Sequence, residues 1–111
     1  MSDTRTHTPA ELHIIASIIK QQIGFWPMAE VGARDYAAGN WTLIGMDFPM
    51  PGLFFAAKPA YRLVNVYVLL TPSDVYRVVV KNRRTGATIH EYTDVYAADL
   101  AGIIRNLISV A

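Results

Sequence analysis

Three histidines, nine acidic residues and no cysteine bound the chemistry open to this chain. Without cysteine there is no thiolate nucleophile, no cysteine zinc site and no disulfide. His7, His13 and His90 form no pair at ligand spacing on one element, so a zinc site would have to be gathered from distant residues. His90 and Glu91 are adjacent on an expected strand, where successive side chains point to opposite faces, and they cannot serve one substrate together. Asp74, beside Pro72 and Ser73, reads as a turn-forming aspartate. Asp94 and Asp99 read as residues of a helix start, where the dipole favours negative charge. There is no glycine-rich phosphate loop and no Gly-x-Ser-x-Gly elbow. The expectation is a protein with no enzymatic activity, no cofactor and no metal.

Two groups of side chains suit binding. Lys81, Arg83 and Arg84 crowd a hairpin tip, with Arg77 and Arg62 nearby, and a basic hairpin can follow a phosphate backbone or enter a groove. The plainer account is that an exposed turn between two apolar strands needs charge for solubility and to discourage edge pairing. A net charge of +1 provides no global field toward nucleic acid or an anionic membrane, which favours the plainer account. Phe54 and Phe55 lie in a stretch punctuated by prolines, where aromatic side chains either anchor a protein partner or fold back to plug the core.

The elements that position these residues follow from size and periodicity. A chain of 111 residues is the length of one domain, expected here at 9–111 behind a flexible tail at 1–8. Apolar residues make up 52% and charged residues 17%, against about a quarter charged in a typical protein, which excludes disorder. A monomer of this mass exposes about 6,000 Å², with few charges to cover it, and this favours a homodimer or another protein partner. No run approaches about 18 apolar residues, so no membrane span is expected. The polar N-terminus has no apolar secretory segment, and the expected location is cytoplasmic.

Thr8, Pro9 and Glu11 make a capping box with proline at the first helical position. The helix they open carries Leu12, Ile15, Ala16, Ile19 and Ile23 on one stripe, and Gly24 is placed to end it in a left-handed conformation. Ile14 and Ile18 lie outside the stripe and widen the apolar arc to about 200°, where roughly 100° suffices for one buried face. Either a second element or another subunit should cover them. Phe25, Trp26, Pro27 and Met28 read as a packed connection, with the proline disfavouring helix before it.

Gly39 and Asn40 read as a turn, followed by a strand over 41–48 with Ile44, Met46 and Phe48 inward. Residues 49–60, with Pro49, Pro51, Gly52 and Pro59, read as a loop. Residues 63–70 and 75–82 form a hairpin in which Leu70 opposes Tyr76, Val68 opposes Val78 and Val66 opposes Val80. Asn65, Tyr67, Arg77, Val79 and Lys81 fall on the other face. A turn at 82–86 leads into a last strand over 87–92. Thr93 or Asp94 then caps a final helix with Leu100, Ile103, Ile104, Leu107 and Ile108 on one stripe. The order predicts an α+β fold: N-terminal helix, antiparallel meander of three to four strands, C-terminal helix, and both helices on one face of the sheet.

Three strings, Gly32-Ala33-Arg34-Asp35-Tyr36, Asp74-Val75-Tyr76-Arg77-Val78 and Val95-Tyr96-Ala97-Ala98-Asp99-Leu100, occur in an order that resembles a group of small proteins encoded by bacteriophages, prophages and other bacterial mobile elements. The resemblance covers residues 15–108. The chain departs from the group's pattern through a longer loop at 49–60 and an extra alanine before Asp99. The resemblance implies a source and no reaction, and its first string adds Arg34 and Tyr36 to the candidate surface. The reading is a non-enzymatic interaction or regulatory protein acting on a host protein, with Ile14, Ile18, Arg34, Tyr36, Phe54 and Phe55 as partner-binding candidates. The alternative is a small nucleic-acid-binding protein using Arg77, Lys81, Arg83 and Arg84.

Overall fold

The first helix begins as its sequence dictates. The computed structural model describes residues 7–43, 45–59 and 62–110, the last three by backbone alone. Of the tail expected at 1–8 only His7 and Thr8 fall within that range, and Thr8 is already the N-cap of α1 (Pro9–Ile23). The Thr8 hydroxyl accepts from the Glu11 amide at 3.2 Å, and the Glu11 carboxylate accepts from the Thr8 amide at 2.8 Å, closing the capping box. Ala16, Ile19 and Ile23 are buried, with Ile15 half-buried beside them. Gly24 ends the helix at φ 92 and ψ 162, a positive φ with extended ψ instead of the expected left-handed helical pair.

The connection at Phe25 is itself a helix, α2 (Phe25–Glu30). Pro27 does not prevent it, because in a first turn the missing N–H has no intrahelical partner to lose. Pro27 and Met28 are buried, while Phe25 and Trp26 project outward, so only part of this segment packs as expected.

Five strands follow in one antiparallel sheet, β1 (Arg34–Trp41), β2 (Met50–Ala57), β3 (Val64–Leu70), β4 (Tyr76–Asn82) and β5 (Thr88–Val95), each beside its neighbour in sequence. The expected meander is present with five strands, one more than the upper expectation. The first two strands are misplaced in the sequence reading. Gly39 and Asn40 are strand residues opposite Gly52 and Pro51, and of the expected strand at 41–48 only Trp41 is in a strand, as the last residue of β1, the rest being the connection between β1 and β2. Within it Met46 and Phe48 are half-buried, and Ile44 lies outside the described residues.

The expected loop at 49–60 is mostly β2, in contact with β1 on one side and β3 on the other. Pro51 is tolerated near the start of the strand. Gly52 is required, because a Cβ there would fall on the Val68 carbonyl oxygen and 2.9 Å from the Leu69 Cα. The hairpin of β3 and β4 has the expected register, including Leu70 opposite Tyr76, Val68 opposite Val78 and Val66 opposite Val80. The last strand runs on to Val95, so Thr93 and Asp94 belong to β5 and do not cap the final helix, α3 (Ala97–Val110). Asp94 instead takes a positive φ of 54.

Both long helices cover one face of the sheet. Ala16, Ile19 and Ile23 of α1 and Leu100, Ile104 and Leu107 of α3 share one core with Leu53, Phe55, Val64, Val66, Val68, Val78 and Val80. The Ile108 side chain, expected on the α3 stripe, lies outside the described residues. The opposite face is also largely closed to solvent: Ala56, Leu69 and Val79 are buried there. The 42–49 connection brings Gly45 beside the Arg77 guanidinium of β4 and ties itself through the Met46 amide donating to the Leu43 carbonyl at 3.0 Å. Met46 and Phe48 are half-buried along it, so the connection resembles a strand in sequence without forming one.

Candidate partner-binding surface

Among the described residues no element covers the outward side of α1, which continues into α2. Ile14 and Ile18 are 57% and 44% exposed, as their position outside the buried stripe requires, and Phe25 and Trp26 are 72% and 68% exposed. Phe25 and Trp26 pack edge to face with centroids 5.1 Å apart, so each restricts the other's motion. Ile14, Ile18 and Gln21 fall on one ridge at spacings of four and three. Gln21 borders an open cleft of about 650 Å³ together with Ser17, Lys20, Gly24, Phe25, Met28 and Tyr36. The apolar ridge and the cleft thus form one surface.

Tyr36 of β1 forms the cleft's sheet-side wall. Its ring stands 5.9 Å from Phe55, the Lys20 ammonium lies 4.0 Å from its centroid, and its hydroxyl donates to the Ala33 carbonyl at 3.5 Å. Burial raises the Tyr36 phenol above its ordinary value, keeping it a neutral donor. Arg34 is exposed beside Asp35 at 3.9 Å and does not line the cleft. Of these candidates Tyr36 lines the cleft, Ile14 and Ile18 are exposed on α1 outside its lining, and Phe54 and Phe55 lie elsewhere.

Phe55 is fully buried in the core. Phe54 points to the other face, in an aromatic group with Tyr67 at 5.2 Å and Trp41 at 6.3 Å. The pair is not a loop anchor, because strand alternation sends the two rings to opposite sides of β2. Phe25, Trp26 and Lys20 are the surface residues that periodicity missed. Their signal was two adjacent aromatics just after a helix-ending glycine.

The four basic candidates do not share a surface. The Arg77 guanidinium is hydrogen-bonded to the Glu91 carboxylate, on the same face as Leu69 and Val79. Lys81 lies 5.8 Å from the Tyr67 ring. Arg83 and Arg84 alone of the four project at the turn, which Asn82 organises by accepting from the Arg84 amide at 2.8 Å and the Thr85 amide at 3.1 Å. His90 pairs with Val80 and Glu91 with Val79, residues of opposite sheet faces. Among the described residues no group of three histidine, aspartate or glutamate side chains is placed to hold a metal ion, and no helix is long and apolar enough to cross a membrane.

Comparison of the chain with protein-family models, with curated proteins and with solved structures finds no match.

Proposed function

We propose that the chain is a protein-binding module that works without catalysis, docking a partner on the surface made by α1 and α2. The observation that carries this reading is the exposure of Ile14 and Ile18 on α1 and of Phe25 and Trp26 on α2, with Phe25 lining the cleft. Phe25 and Trp26 each offer about 150–250 Å² for burial, and paired aromatics of this kind dominate binding energy when a partner desolvates them. Lys20 is the cation of the cleft lining, which suits a partner segment carrying apolar side chains and a carboxylate.

The experiment compares the wild-type chain with an Ile18→Glu, Trp26→Ala double variant as baits for proteins of the source cell. Both positions are exposed, so the variant folds normally by circular dichroism. A specific partner should be retained by the wild type and bound at least about tenfold more weakly by the variant, a loss of about 1.4 kcal/mol. Equal retention by both would remove this surface from the function.

A second reading, nucleic-acid binding, draws support from the exposed Arg83 and Arg84 at a turn stiffened by Asn82. It is weakened by the engagement of Arg77 with Glu91.

A further inference from the structure

The cleft between α1, α2 and β1 has a lining of specific chemistry. Ser17, Lys20 and Gln21 of α1 and its C-cap Gly24 stand on one side of the helix, between the buried stripe of Ala16, Ile19 and Ile23 and the exposed Ile14 and Ile18. Among the described residues of the lining Lys20 alone is charged. Its ammonium stands 4.0 Å from the Tyr36 ring centroid, and the ion pairs among the described residues do not involve it. An ammonium held against a ring keeps its N–H donors for another acceptor. Ser17, one turn before Lys20, and Gln21, next to it, add a hydroxyl and an amide to the same lining. The rest is apolar, from Phe25, the ring of Tyr36 and the buried Met28, whose thioether adapts to varied shapes. The volume of about 650 Å³ is that of a small-ligand site.

We propose that this cleft binds a small apolar monocarboxylic acid, its carboxylate on the Lys20 ammonium beside Ser17 and Gln21, and its hydrocarbon or aryl body against Tyr36, Phe25 and Met28. What the lining lacks narrows the class. With no acidic side chain it repels no carboxylate and offers an amine no counter-charge. With a single cation it leaves the second charge of a dicarboxylate or a phosphate monoester unpaired against apolar walls. The inference goes beyond protein docking, because a free acid fills the cleft without a partner. Ile18 and Trp26, the residues changed in the test of partner capture, are outside the lining, so either reading can fail alone.

The test titrates the isotope-labelled full chain with hydrocinnamate at low ionic strength and follows the backbone amide resonances. The acid should saturate with a dissociation constant of about 1 mM and shift the resonances of Lys20, Gln21, Gly24, Phe25 and Tyr36. Its neutral amide, the same body without the charge, should bind at least about fivefold more weakly. Lys20→Gln should bring the acid down to the level of the amide while leaving the amide's own affinity unchanged, and Lys20→Arg should keep the preference for the acid. Lys20 is exposed, so both variants retain the wild-type circular dichroism spectrum. Equal affinity for acid and amide, a preference that survives Lys20→Gln, or shifts confined to residues outside the cleft each overturn the proposal. So does an absence of binding up to about 10 mM. A peptide ending in phenylalanine that binds where the free acid does not assigns the cleft to a protein partner, and overturns it as well.

Discussion

Phe54 and Phe55 are neighbours in β2 and occupy opposite worlds: Phe55 is sealed beneath α1, while Phe54 packs against Tyr67 on the far face with centroids 5.2 Å apart. The difference fixes what each ring contributes. Phe55→Ala removes a fully buried ring from the main core and should cost about 3–5 kcal/mol, enough to unfold much of the population of a marginal domain. Phe54→Ala removes a half-buried ring and its contacts with Tyr67 and Trp41 and should cost about 1–2 kcal/mol. Urea denaturation of the two variants checks the order. Equal losses would mean that the second face is a core of the same weight as the first.

Gly52 and Gly86 separate two reasons for glycine. A Cβ at Gly52 would strike the Val68 carbonyl, so Gly52→Ala forces β2 and β3 apart and should lower stability by at least about 2 kcal/mol. Gly86 takes a φ of 77 in open space, so Gly86→Ala meets only backbone strain and should cost about 1–2 kcal/mol. Amide exchange distinguishes the two mechanisms. In the first variant protection falls along β2 and β3, and in the second it falls at the β4–β5 turn alone.

How legible the fold was depended on how many roles each residue plays. The capping box at Thr8 and Glu11 is local chemistry, and it formed as the residues dictate. The β3–β4 register was legible because one slip would move Val66, Val68, Val78 and Val80 from the core to the other face. The β1–β2 region was not legible. Pro51 and Gly52 carry the local signature of a loop, while the requirement that overrides it, close approach to Val68, comes from a strand distant in sequence. The half-buried Met46 and Phe48 of the 42–49 connection likewise alternate as strand residues do, and the local pattern alone does not separate the two. For the candidate surface, Ile14 and Ile18 were visible as an excess over one helical stripe. Phe25 and Trp26 were hidden by a proline that acts as a breaker in a helix interior but not in a first turn.

Tyr76 ties α1 to the sheet, its hydroxyl donating to Gln22 Oε1 at 2.7 Å. Burial pushes its phenol above the usual 10.0, the Gln22 bond pulls the other way, and the charge of Asp74 adds to the rise. Tyr36 is raised by burial as well. A folded-state value above the unfolded one means that the unfolded chain loses its proton first as pH climbs. The stabilisation from both phenols is therefore complete below about pH 10 and is lost as pH rises through the raised values. Urea midpoints should hold steady up to about pH 9 and then fall. Tyr76→Phe should flatten that alkaline decline and lower neutral stability by about 1 kcal/mol through the lost hydrogen bond.

The basic turn offers the test that weighs the two functional readings against each other. With Arg77 engaged by Glu91 and Lys81 beside Tyr67, Arg83 and Arg84 are the cations placed to meet phosphates. Two contacts release about two counterions, so the logarithm of any affinity for duplex DNA should fall against log salt with a slope near −2, and binding should be weaker than about 100 μM at physiological salt. Gel shifts with single-stranded and duplex probes at low and physiological salt measure this directly. On the protein-binding reading, the Arg83→Ala, Arg84→Ala variant abolishes what little retardation occurs and leaves partner capture unchanged. Micromolar binding with a steep salt slope, lost in that variant, would place nucleic acid ahead of a protein partner.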